Sequence, residues 1–326
     1  MRPDPTPHLL IPFAACSAEA WLPTLQSLPP DSFKRLGQLL QGMKLVQTDT
    51  RDAESLSPPH ERALARALGL AAPDTLDGLL PWAASEAMEG LRAGPDKAWA
   101  WITPCHWAMG HLHATLSDPA LLDLREDESR SLLALMQPYF ETDGITLHFQ
   151  TPGRWLAEGE LFRGLPTASI DRVLARNVDA WLPDTKSAAP LRRLQNEMQM
   201  LLYTHPFNDE RETRRQLPVN SFWISGTGAL PAPAMPSGQR PQVSVPRSLA
   251  EAVFREDWAG YVQAWATLEA GDIAAMLARQ RAGESVRLTL CGDSSAQTFE
   301  THRAGLWNKI SSLFSPLRTL DVLKQL

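Results

Sequence analysis

Only three cysteines, Cys16, Cys105 and Cys291, occur in 326 residues, and they lie far apart with no CxxC pair. That scarcity argues against a disulfide framework and against a zinc ribbon, since both need closely spaced sulfurs. Basic charge is also short: 31 Lys and Arg stand against 37 Asp and Glu, a net charge of -6. Nucleic acid and anionic membrane both call for a concentrated basic surface, so neither is expected as a partner. No apolar run approaches the length of a bilayer span. The opening stretch MRPDPTPHLLIPFAAC has one early Arg and an apolar segment broken by Pro12, unlike a secretory signal. A cytoplasmic chain is therefore expected. Tyrosine is scarce too, three residues against eleven tryptophans, which are scattered as core residues usually are.

The length and a hydrophobic share of 44% suffice for one large α/β domain or two smaller ones. His8 to Ala15 reads as a first strand and Ser32 to Gly42 as a helix. Lys44 to Ser57 is polar, with room for a short exposed strand, and Pro59 to Leu70 has Ala and Leu at helical spacing. A helix over 77–93 and a buried strand over 98–103 (AWAWIT) come next. Further helices are expected over 124–136, 165–181 and 189–204, the last with Leu191, Leu194, Met198, Leu201 and Leu202 on one face. Asp143-Gly144 is a turn into a strand over 145–150. The Pro-rich stretch 229–246 has no periodicity and reads as a loop. Helices over 247–254 and 258–281, a strand over 286–290, and a helix with a tail ending in LDVLKQL complete the pattern.

The most chemically organised segment is His205 to Gly228, HPFNDERETRRQLPVNSFWISGTG. Pro218 to Ile224 is a short apolar and β-branched run bounded by Pro and Gly, so it reads as a buried strand. The charge cluster from Asp209 to Arg215 then falls on the entering loop. Its guanidinium groups, beside an Asn and a His, suit bidentate capture of a carboxylate or phosphate. They suit equally a solvated loop whose Arg and Glu residues pair with one another, and spacing favours this plainer role.

Two other places invite chemistry. Cys105, His106, His111 and His113 fall within nine positions and could ligate a metal, but their spacing matches no finger or zincin pattern, so a histidine-lined pocket or packing histidines are the favoured reading. Ser55 and Ser57 precede a helix, where a serine is far more often an N-cap than a nucleophile.

The residues His205, Pro206, Asn208, Arg211, Pro218, Asn220, Ser221, Trp223, Gly226 and Gly228 together resemble a signature found late in archaeal-type, cofactor-independent phosphoglycerate mutases and in bacterial RpfE-type regulatory proteins. The resemblance implies an alkaline phosphatase-like layered α/β core carrying a smaller inserted α/β region. Residues 1–100 would open the core, 101–165 would form the substrate-side insert, and 166–326 would complete the core. It also implies an anion pocket of Arg154, His205, Asn208, Arg211 and Asn220, with Gly226 and Gly228 allowing close backbone approach.

The same resemblance sets a test that this chain does not meet. A two-metal phosphomutase would place Asp-Gly after its first strand and Asp-His after its last, because several carboxylates and histidines must converge on two cations. Here Pro12-Phe13-Ala14-Ala15-Cys16-Ser17 follows the first strand, and Asp293-Ser294 follows the last. The expectation is a protein with an eroded metal centre, holding no metal cofactor and binding a small phosphorylated or carboxylate ligand or a protein partner. The alternative is an active mutase or phosphatase loaded with manganese or zinc through an unusual set such as His111, His113, Asp293 and His302.

Overall fold

In the computed structural model the first strand, β1 (His8–Ile11), is buried along its whole length, as a parallel strand covered on both faces must be. The structure describes residues 6–72, 74–110, 113–183, 188–231, 241–302 and 319–326. After β1 come α1 (Trp21–Gln26), α2 (Lys34–Gln41), β2 (Met43–Thr50) and α3 (Pro59–Ala67). In α2, Leu36, Leu39 and Leu40 recur at helical spacing and all three are buried.

The chain then makes α4 (Trp82–Gly90), β3 (Ala98–Cys105), the short pair β4 (Trp107–Met109) and β5 (Ala114–Leu116), and α5 (Glu126–Glu141). Next are β6 (Thr146–Thr151), β7 (Arg154–Glu158), α6 (Ile170–Val173), α7 (Ala189–Tyr203), α8 (Pro206–Thr213) and β8 (Ser221–Ala229). It returns through β9 (Val243–Ser244), α9 (Ser248–Phe254), α10 (Trp258–Ala270), α11 (Asp272–Arg281), β10 (Arg287–Cys291) and β11 (Ser295–Thr301) to a short helix, Thr319–Leu323.

These elements form two compact units, Met1–Glu54 with Pro58–Leu68 and Gln239–Leu326, and Ser55–Ser57 with Gly69–Gly238. The first unit holds a five-stranded sheet in the order β2-β11-β10-β1-β9. In it β1 runs parallel to β10 and β9, while β11 is antiparallel to both β10 and β2. One face buries Leu9, Ile11, Leu288 and Leu290 against Tyr261, Trp265 and Leu268 of α10. The other packs Leu10, Cys291 and Ala296 against Ala63 and Leu64 of α3. Helices on both faces explain why β1 reads as a near-continuous apolar run.

The second unit holds an antiparallel sheet, β6-β7-β3-β8. Its core joins Ala98, Ala100 and Ile102 to Trp155, Ala157, Phe222 and Ile224, beneath Leu132, Met136 and Phe140 of α5 and Leu191, Leu194, Met198 and Leu202 of α7. The protein is thus of mixed α/β class. No helix of the described residues is long and apolar enough to cross a membrane.

Several boundaries differ from expectation. The strand β8 pairs with β3, which brings residues 221–229 into the same unit as 98–105. The helix expected over 165–181 shrinks to α6, four residues capped by Ser169, and a single 3-10 turn at Asp179–Trp181. The helix expected over 258–281 is two helices that meet at Gly271. Half of the Pro-rich stretch 229–246 lies outside the described residues, and where a closing helix was expected after Asp293 the chain first forms the strand β11, with 303–318 outside the described residues.

Candidate functional site

The charge cluster of the conspicuous segment lies on a helix, not on a loop. His205 is the N-cap of α8, its Nδ1 accepting from the Phe207 N–H at 3.1 Å, and Pro206 takes the first helical position. Both choices are favourable at a helix start, where an N–H needs an acceptor and the missing proline donor costs nothing. From this helix Asn208 turns inward. Its Nδ2 donates to the carbonyls of Leu202 and Val219, both at 2.8 Å, and its Oδ1 accepts from the Val219 N–H at 3.0 Å.

Arg211, expected to hold an anion, is wholly buried. Its Nε donates to the Leu217 carbonyl at 2.9 Å, Nη2 to the Leu122 carbonyl, and Nη1 to Glu128 at 3.3 Å. Burial lowers its pKa, and the Glu128 carboxylate opposes that shift. Glu128, itself buried on the first turn of α5, also accepts from Arg214 at 2.6 Å and from the Arg125 N–H at 3.2 Å. The guanidinium therefore ties α8 to α5 and to the turn before it. Its donors are thus directed to carbonyls and a carboxylate of this unit.

Asn220 behaves similarly: its Oδ1 accepts from the Trp107 N–H at 2.7 Å and its Nδ2 donates to the Trp107 carbonyl at 3.0 Å, so one side chain completes the backbone pairing of a strand. Gly226 and Gly228 adopt φ of +63° and +134° within β8. A Cβ on Gly226 would stand 2.8 Å from Trp101 Cε3, so the close approach it permits is to an indole. Arg154, unlike Arg211, keeps a partly open guanidinium. Its side chain is 41% exposed, pairs with Glu86 at 3.1 Å, and lies 4.4 Å above the Trp101 ring.

Two members of the alternative metal set, Asp293 and His302, lie at opposite ends of β11. Asp293 follows β10 and precedes β11, whereas His302 follows the far end of β11. Seven strand residues at about 3.3 Å each keep them roughly 20 Å apart. His113 is exposed, and His111 lies outside the described residues. Ser55 Oγ accepts from Arg172 at 2.9 Å and donates to the Ser57 carbonyl, while Ser57 Oγ accepts from the Gly78 N–H at 3.0 Å. Both hydroxyls thus serve the local fold.

A quieter place is the carboxyl-terminal edge of the first sheet, where open α/β sheets usually bind ligands. Here the segments leaving β1 and β10 lie side by side. The Ser17 N–H and Oγ–H both donate to Asp293 Oδ2, at 2.6 and 2.5 Å. Phe13, two residues past the end of β1, adopts a φ of +54°, rare for a bulky residue, and its buried ring sits 5.6 Å from His60 and 4.9 Å from Phe254. The Phe13 and Ala14 carbonyls of this turn face the buried Tyr261 hydroxyl, at 2.9 and 3.1 Å. Burial, with a smaller contribution from Asp293, pushes the Cys16 thiol up to about 11. Nearby, Arg62 and Arg66 of α3 both grip Asp49 of β2. Sequence reasoning missed Glu128 and Ser17. The pattern Arg125-x-x-Glu128 at a helix start was a legible cue for the first, and no local pattern marks the second.

No protein-family model matches this chain, and no curated protein matches it. Among solved structures it is similar to the cofactor-independent phosphoglycerate mutase of Thermoplasma acidophilum DSM 1728, at 12% identity over 92% of this chain and 91% of that one, with a TM-score of 0.36. It is also similar to the PH0037 protein of Pyrococcus horikoshii, at 11% identity over 91% of this chain and 88% of that one, with a TM-score of 0.44.

Proposed function

We propose that this chain is a phosphoglycerate mutase-like protein without a working metal centre, which binds a small anion or a protein partner in a regulatory role. The observation that carries the proposal is the pair Ser17 and Asp293 at the strand edge. A metal-ligating carboxylate must aim a lone pair at a cation, and of the two Asp293 oxygens Oδ2 already receives two donors from Ser17. Phe13 adds an apolar ring where the resemblance would put an acidic ligand. These groups do not fit a two-metal phosphotransfer site, and no step of such a reaction is assigned to them. The sequence signature around His205 to Gly228 supports the mutase-like part of the proposal, and three free cysteines suit a cytoplasmic location.

Within this proposal the anion role falls to Arg154, whose partner Glu86 a ligand carboxylate or phosphate would displace. The test is interconversion of 3-phosphoglycerate and 2-phosphoglycerate with manganese, zinc or magnesium supplied. No turnover together with saturable 3-phosphoglycerate binding that Arg154→Gln abolishes would support it. Metal-dependent turnover lost in Asp293→Asn would overturn it in favour of an active enzyme.

A further inference from the structure

No further inference is drawn: the strongest candidate, a cleft of about 1070 Å³ at the amino-terminal edge of the first sheet between His8, Val243, Met276 and Arg279, offers a histidine already bonded to Thr289 and an arginine already paired with Glu284, and nothing in the structure shows what would fill it.

Discussion

The segment from His205 to Gly228 and the strand edge around Ser17 and Asp293 present opposite relations between sequence and chemistry. The first is dense in charged and polar residues, yet Asn208, Arg211 and Asn220 bind this protein's own backbone. The second is written in Phe, Ala, Cys and Ser, and it occupies the position where an α/β sheet ordinarily does its work. Polar residues that could grip a ligand can grip a carbonyl equally well, and burial decides between the two. The carboxylate that remains at the strand edge is answered by hydrogen-bond donors of the same unit.

Breaking the buried tie in the second unit should have the largest effect. Arg211→Met leaves Glu128 buried with fewer donors and should cost roughly 3–5 kcal/mol, the usual range for a buried pair that loses one partner. Urea denaturation would measure it, and hydrogen exchange should place the loss within residues 69–238. Unchanged stability with weakened 3-phosphoglycerate binding would restore Arg211 to a ligand pocket.

Acid should reveal the first unit instead. His8 is buried on β1 against Thr289, and burial, aided by Arg287, lowers its pKa from 6.5 to about 4. The folded state therefore holds fewer protons than the unfolded chain between these values, so stability is full above pH 6.5 and falls as pH drops toward 4. Between pH 7 and pH 4.5 the loss from this group should reach roughly 2–3 kcal/mol. In His8→Gln that share of the acid dependence should vanish, and an identical pH profile would contradict it.

Smaller effects sharpen the comparison. Gly226→Ala forces a Cβ toward Trp101 at a left-handed φ and should cost about 1–3 kcal/mol in thermal denaturation. Arg154→Gln breaks a half-exposed pair and should change stability by less than about 1 kcal/mol. If Arg154→Gln destabilised as much as Arg211→Met, Arg154 would be a second structural tie and the anion proposal would lose its residue.

Much of the framework was legible because periodicity reports burial directly. The stripe Leu191, Leu194, Met198 and Leu202 marks α7 to within one residue of its end, and AWAWIT marks β3. Helix α8 was hidden because its charges obscure any apolar face, although His205-Pro206 is a good cap and first position. The segment 165–181 failed in the other direction, since apolar spacing suggested a helix where isolated bridges from Leu174 and Asn177 to β5 hold the chain. The role of Arg211 was not legible at all: it depends on Glu128, 83 positions away. The pairing of Ser17 with Asp293 spans 276 positions and rests on β1 and β10 lying side by side.

The most direct test is the metal content of the purified protein after equilibration with manganese or zinc and removal of free ion, measured alongside Asp293→Asn. The closed strand edge predicts no stoichiometric metal in either protein. Two ions per chain in the natural sequence, lost in Asp293→Asn, would contradict it and make this edge a catalytic centre.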